Sequence, residues 1–188
     1  MINSADLPGW IWGALGVYWL ASARGTTKAA TGEASGWRVL RLSIMAVTFL
    51  LLLSPWLRFG ALGWRFVPGN SFLNGFGVAL TLAGASLCVW ARVCLGKYWS
   101  DKVVLKVDHE LIRNGPYAYL RHPIYSGVLL GVAGTALVVG EWRCIVALLL
   151  MGTNYVVKAR REEKILAGCF GEAYSEYKRA TGFFLPGL

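Results

Sequence analysis

Five long apolar runs, each poor in charge and separated by short polar stretches, constrain this chain more than any other feature of its sequence. They extend from about Leu7 to Ala23, Val39 to Leu57, Leu73 to Leu95, Pro123 to Gly140 and Trp142 to Val157. A helix needs roughly 17 to 25 mainly apolar residues to cross a bilayer. Within hydrocarbon, only helices and closed barrels can satisfy their own backbone polar groups. The runs are continuous rather than alternating, so the prediction is an all-α polytopic membrane protein with about five transmembrane helices. Composition agrees: 15% of the residues are charged and 56% hydrophobic, whereas a soluble domain carries about 25% charged residues. That balance excludes a disordered chain, most soluble enzymes and a nucleic-acid partner bound through charge density, although the net charge is +9.

The cations orient the array. Arg24, Lys28 and Arg38 lie in the first connection, with Arg41 just beyond it. Arg92, Lys97, Lys102, Lys106, Arg113 and Arg121 lie in or beside the third, and Lys158, Arg160, Arg161, Lys164, Lys178 and Arg179 in the tail. The opposite side carries only Arg58, Arg65 and Arg143. Cytoplasmic loops of membrane proteins hold the Lys and Arg excess, so the N-terminus is expected outside and the third loop and C-terminus in the cytoplasm. The plasma (inner) membrane is the expected location. Trp10, Trp37, Trp56, Trp64, Trp99 and Trp142 fall near run ends, where interfacial anchors belong. No Lys or Arg precedes the first run, so no cleavable signal peptide is expected.

Several motifs have plain structural readings. Cys88, Cys94, Cys144 and Cys169 have neither CxxC nor zinc-ligand spacing, so buried packing rather than a metal site or disulfide is expected. Gly127, Gly131 and Thr135, and likewise Gly77, Thr81 and Ala85, recur every four residues. Such small-residue stripes let membrane helices approach closely. The short turn at Glu141 makes a helical hairpin of the last two spans.

Chemistry is concentrated in what remains, the loop 96–122 and the tail 158–188. His109 and His122 are the chain's only histidines and share that loop with Tyr117 and Tyr119. Gly115-Pro116 marks a turn between them. Pro123 suits the first turn of a helix, and a helix start flanked by Arg121 and His122 suits an anionic group. In the tail, a helix continuing from the fifth span places Lys158, Glu162, Leu166, Cys169, Phe170, Ala173, Tyr174 and Tyr177 on one stripe. Glu162 is the exception on that mostly apolar stripe. A salt bridge with Lys158 one turn earlier and a pocket-facing carboxylate that holds an ammonium group explain it equally well.

The order His-x-Leu-Ile-x-x-Gly-Pro-Tyr-x-x-x-Arg-His-Pro-x-Tyr-x-Gly, a hydrophobic hairpin, Glu-Glu-x-x-Leu, then Phe-Gly-x-x-Tyr-x-x-Tyr resembles the isoprenylcysteine carboxyl methyltransferases. It looks most like their compact prokaryotic-type members with five spans. The resemblance runs from about Leu95 to the C-terminus. It implies one integral membrane domain over 1–188, with loop and C-terminal helix forming a cytoplasm-facing S-adenosylmethionine pocket. By position, the implied cofactor residues are His109, Glu110, Leu111, Ile112, Tyr117, His122, Pro123, Ile124, Tyr125 and Glu162. Arg121 and Lys158 match positions implicated in the substrate carboxylate, and no metal is implied. Lys158 departs from the eukaryotic Arg, giving a point charge in place of a bidentate fork.

The activity the resemblance implies is carboxyl methylation of an isoprenylcysteine-like, membrane-embedded acceptor, releasing S-adenosylhomocysteine. The implied partners are the lipid bilayer and a lipophilic or lipidated substrate. Three other readings stay open: methylation of a thiol or amine of a small hydrophobic molecule, a nicotinamide-dependent sterol reduction, and a non-catalytic membrane binding protein.

Overall fold

The computed structural model describes residues 6–22, 35–96 and 111–187. Helix α1 spans Leu7–Ser22, α2 Ser35–Leu53, α3 Ser71–Leu95, α4 Pro123–Val139, α5 Trp142–Phe170 and α6 Glu172–Ala180. Among the described residues the chain is all-helical, with isolated bridges at Arg65–Glu141 and Leu120–Gly182 in place of strands. Of these helices, α2 from Gly36 and α3 are long and apolar enough to cross a membrane, while α4 is apolar but has 17 residues.

Local signals explain most boundaries. The second helix stops at Leu53 rather than near Leu57, because Pro55 holds Ser54 in an extended conformation. Asn70 starts α3 by accepting a 2.8 Å hydrogen bond from the Leu73 amide. Pro123 opens α4 where no N–H is needed. The fifth helix runs unbroken past Val157 to Phe170, so span and tail helix are one rod. The expected helix through Tyr177 is interrupted at Gly171, whose φ of 53° lies in the left-handed region that glycine enters without strain. This break dissolves the single stripe: Cys169 is exposed while Tyr174 and Tyr177 are buried.

Helices α3 and α4 form the closest pair. A Cβ on Gly84 would stand 2.5 Å from the Gly131 nitrogen, and one on Gly134 would stand 2.5 Å from the Gly77 carbonyl oxygen. Between them, Thr81 and Thr135 hydroxyls lie 3.3 Å apart, and Trp12 of α1 donates to Thr135 over 3.0 Å. These bonds satisfy buried polar groups and fasten α1 to the pair. The core continues through Val128, Val132 and Ala136 of α4 to Ala147, Met151 and Tyr155 of α5.

A buried ionic cluster closes one end of the bundle. Arg143, 2% exposed, pairs with Glu141 over 2.6 Å and donates to the carbonyls of Leu51 and Ser54. It thereby caps the C-terminal end of α2. Arg58 reaches Glu141 from outside over 2.8 Å. The site lies at the other end of α4 and α5.

Candidate functional site

Residues 111–122 reach α4 through a tight turn at Gly115–Ala118 that buries Pro116 and Tyr117. His122 occupies the N-cap position of α4, yet its side chain caps nothing and turns inward, leaving the residue 7% exposed. Its ring lies parallel to Tyr125 at 5.4 Å, and Tyr125 lies parallel to Tyr155 of α5 at 4.5 Å. The result is a ladder of three rings joining the two helices.

The Tyr125 hydroxyl donates into the fork of the Glu162 carboxylate, 2.7 and 2.8 Å from its two oxygens. Lys158 Nζ sits 5.2 Å from the Tyr125 ring centroid and 3.9 Å from Glu162 Oε1. His122 Nδ1 is 3.7 Å from the other Glu162 oxygen. Glu162 thus has the salt-bridge partner that its spacing predicts, and its carboxylate also faces the stacked aromatic rings. Tyr155, Lys158 and Glu162 meet there because they recur at helical spacing on one face of α5.

Glu163 points to the neighbouring cluster. Arg121 Nε binds its Oε1 over 2.6 Å, and Lys178 Nζ its Oε2 over 3.1 Å. Burial alone would raise the carboxyl's pKa, but His122, Arg121 and Lys178 outweigh it and bring the value down to about 2. His122 Nε2 is 3.4 Å from Glu163 Oε1 but off hydrogen-bonding alignment, so this buried nitrogen has no hydrogen-bond partner among the described residues. Burial foremost, then the Glu162 charge, raises the Tyr117 hydroxyl above its ordinary value and keeps it a neutral phenol.

The C-terminal segment returns over this cluster. Arg121 donates through its amide to the Gly182 carbonyl over 2.9 Å, and through Nη1 to the carbonyls of Lys178 and Thr181. Ser126 of α4 donates to the Phe184 carbonyl over 2.7 Å. Phe183 and Phe184 meet the His122 ring edge-on at 5.2 and 6.1 Å. Tyr177 completes the fastening by donating to the Tyr117 carbonyl over 2.8 Å.

The structure thus brings together Tyr117, His122, Pro123, Tyr125, Lys158 and Glu162, with Leu111 and Ile112 half-buried in the approaching segment and Ile124 packed against the core. Arg121 is adjacent, but its Nε and Nη1 are engaged by protein groups, leaving Nη2 without a hydrogen bond among the described residues. His109 and Glu110 lie outside the described residues. Sequence reasoning gave Glu163 only as the second carboxylate of the Glu-Glu motif, without a role, and passed over Tyr155, Phe183 and Phe184. Tyr155 carried a signal, being seven residues before Glu162 and so on its face; the two phenylalanines carried none.

Among the described residues, the fold and site thus define a helical bundle with a carboxylate, a cation and stacked aromatics at one end. The family model described as isoprenylcysteine carboxyl methyltransferase (ICMT) family matches residues 77–168, just under half of the chain, and that stretch is similar to this family. The match contains Arg121, His122, Tyr125, Lys158, Glu162 and Glu163.

Relatives extend the likeness. The chain is 30% identical over 154 residues to the cobalt-zinc-cadmium resistance protein CzcN of Cupriavidus metallidurans, covering 81% of this chain and 62% of that one. It is 30% identical to the human protein-S-isoprenylcysteine O-methyltransferase, covering 71% of this chain and 49% of that one. The solved structure of a eukaryotic intramembrane Ras methyltransferase ICMT shares the fold at a TM-score of 0.54 and 22% identity, over 84% of this chain and 55% of that one. This chain therefore spans about half to two thirds of the length of these relatives.

Proposed function

We propose that the chain is an S-adenosylmethionine-dependent methyltransferase acting on a lipophilic, membrane-embedded acceptor, with an isoprenylcysteine-like carboxylate as the preferred substrate. The observation that carries this reading is the Tyr125–Glu162–Lys158–His122 cluster, inside the family match and walled by stacked aromatics. Relatives named protein-S-isoprenylcysteine O-methyltransferase support the acceptor class.

In this proposal, α1 to α4 and the first half of α5 cross the inner membrane with the N-terminus outside. The loop 96–122 and the tail 158–188 then face the cytoplasm as parts of one domain. Support comes from the positive-inside distribution of cations and the apolar length of α2 and α3. The bilayer also admits a lipid-tailed acceptor sideways.

The residues suit the cofactor. Glu162 offers a carboxylate to an ammonium group, and the unpartnered Nε2 of His122 is a buried polar atom that a ligand carboxylate can satisfy. The faces of Tyr117 and Tyr125 suit a sulfonium. Pro123, Ile124, Leu111 and Ile112 supply apolar wall, and His109 and Glu110 belong to the same proposed pocket. When bound, the cofactor supplies an electrophilic methyl group on sulfur. An acceptor carboxylate, with a pKa near 4, is already ionised and brings its own electron pair. Transfer to such an acceptor would require none of the chain's own groups to accept or donate a proton. The chain's task is then alignment and exclusion of water. Arg121 Nη2 and Lys158 Nζ are the proposed anchors for the acceptor carboxylate, with Arg121 held in place by Glu163 and the tail carbonyls.

A labelled-methyl assay with membrane lysate tests this: the product is expected to be a base-labile ester, and Glu162→Gln is expected to lower cofactor affinity about tenfold by removing a charge-assisted contact. Loss of no affinity in Glu162→Gln and His122→Ala overturns the pocket assignment. Lys158, a point charge rather than a fork, favours a second acceptor, a thiol or amine of a small hydrophobic molecule. A base-stable thioether product, with a rate rising toward the thiol pKa, identifies that case.

A further inference from the structure

Helix α5 carries a second constellation on the side opposite the methyl-transfer site. At 100° per residue, Tyr155, Lys158 and Glu162 share one face, while Arg160, Glu163, Lys164 and Ala167 share the other. Between that second face and α6 lies an open cleft of about 400 Å³, completed by Tyr174, Ser175 and Lys178. Three cations line it. Its one carboxylate, Glu163, is already paired with Arg121 and Lys178. Arg160 and Lys164 are exposed and have no anionic partner among the described residues. Like charges four residues apart destabilise a helix by a few tenths of a kcal/mol, a cost that an anion placed between them removes.

A second feature is independent of this charge. Tyr174 is 2% exposed and lines the cleft, yet its hydroxyl has no hydrogen-bond partner among the described residues. Buried hydroxyls are normally satisfied, so this one is a donor awaiting an acceptor. Cations at the rim and an unspent neutral donor in the wall are complementary to a tetrahedral oxyanion. We infer that the α5–α6 cleft binds a phosphoryl group, held by Arg160 and Lys164 with the Tyr174 hydroxyl as a neutral donor.

Depth favours a lipid headgroup as the source, a point that rests on the membrane placement proposed above. Arg160 and Lys164 lie about 27 and 33 Å along α5 from Trp142 at 1.5 Å per residue, and a hydrocarbon core is about 30 Å thick. The cleft then opens at the level of the phosphates of the cytoplasmic leaflet. Anionic lipids concentrate in that leaflet and attract Lys and Arg near its surface.

The test is the thermal midpoint of the purified full-length chain in neutral detergent. Dioctanoyl phosphatidylglycerol, dioctanoyl phosphatidylcholine and inorganic phosphate are titrated separately. Phosphatidylglycerol is expected to raise Tm saturably and more than phosphatidylcholine. The Arg160→Gln/Lys164→Gln double variant is expected to weaken half-saturation about tenfold, two partly exposed charge contacts being lost. Arg160→Lys/Lys164→Arg is expected to retain the response. Tyr174→Phe is expected to leave the anion-free Tm unchanged, since no bond is lost, while weakening the anion response. A saturable shift with inorganic phosphate alone supports the site and assigns it to a soluble anion; a shift with the lipid alone supports it and assigns it to a headgroup. Equal responses in the wild type and the Gln double variant overturn the site, as do equal responses to the two lipids or no response to any probe. None of these readouts depends on methyl transfer, so failure here and failure of the methyltransferase reading are separate results.

Discussion

Replacing Glu163 by Gln removes the charge to which Arg121 and Lys178 are tied. His122 also faces this carboxylate, at 3.4 Å; of the two cations Arg121 is the stronger partner, because its side chain is 9% exposed and it binds at 2.6 Å, whereas Lys178 is 55% exposed and solvent-screened. The carboxyl titrates at about 2 in the folded chain against an ordinary 4.5. At 1.36 kcal/mol per pKa unit, that difference stabilises the fold by about 3 kcal/mol. Removing one partner of a buried pair costs about 3–5 kcal/mol in other proteins, so the two figures agree. Because the folded value is the depressed one, the contribution is complete above pH 4.5 and is lost as pH falls toward 2. Near pH 3 only about 1 kcal/mol remains. The assay is thermal unfolding of the purified wild type and Glu163→Gln between pH 3 and pH 8. At neutral pH the variant is expected to melt roughly 6–12 °C lower, with the gap shrinking by more than half at pH 3. Coincident curves at pH 7, or a gap that stays constant down to pH 3, refute the ion-pair account of this cluster.

Two further outcomes test the scaffold. Gly84→Ala is expected to separate α3 from α4, because its Cβ meets Gly131 backbone at 2.5 Å and backbone cannot rotate away; overpacking of this kind costs about 1–3 kcal/mol, visible as a lower Tm. Arg143→Ala is expected to cost about 3–5 kcal/mol, since it strands the 3% exposed Glu141 and uncaps the Leu51 and Ser54 carbonyls. A near-wild-type Tm for Arg143→Ala would show that Arg58 alone suffices for Glu141.

Much of the helical framework is legible in the residues. The apolar runs place five helices, and Pro123 marks a helix start through a rule that acts over one turn. The Gly-rich stripes of α3 and α4 announce their contact. The site is legible only in part. Glu162, Lys158 and Tyr125 stand out because a carboxylate on an apolar stripe and an Arg-His-Pro helix start are locally anomalous. Glu163 enters only as the second carboxylate of the Glu-Glu motif, with no role that a local pattern assigns. The Gly171 break escaped because the stripe from Lys158 to Tyr177 continues smoothly across it, and one left-handed glycine leaves no periodic trace.

By itself, then, the sequence determined which segments are helical and which connections gather the cations. These properties follow from hydropathy and period, both local. The tertiary structure alone decided that Arg121 grips Glu163 and a tail carbonyl 60 residues away, that Phe183 and Phe184 wall His122, and that α6 folds back on α5 to make a basic cleft. Those arrangements depend on where a charged group finds its partners once buried. That is settled by the geometry of distant segments brought together, a quantity no local pattern encodes.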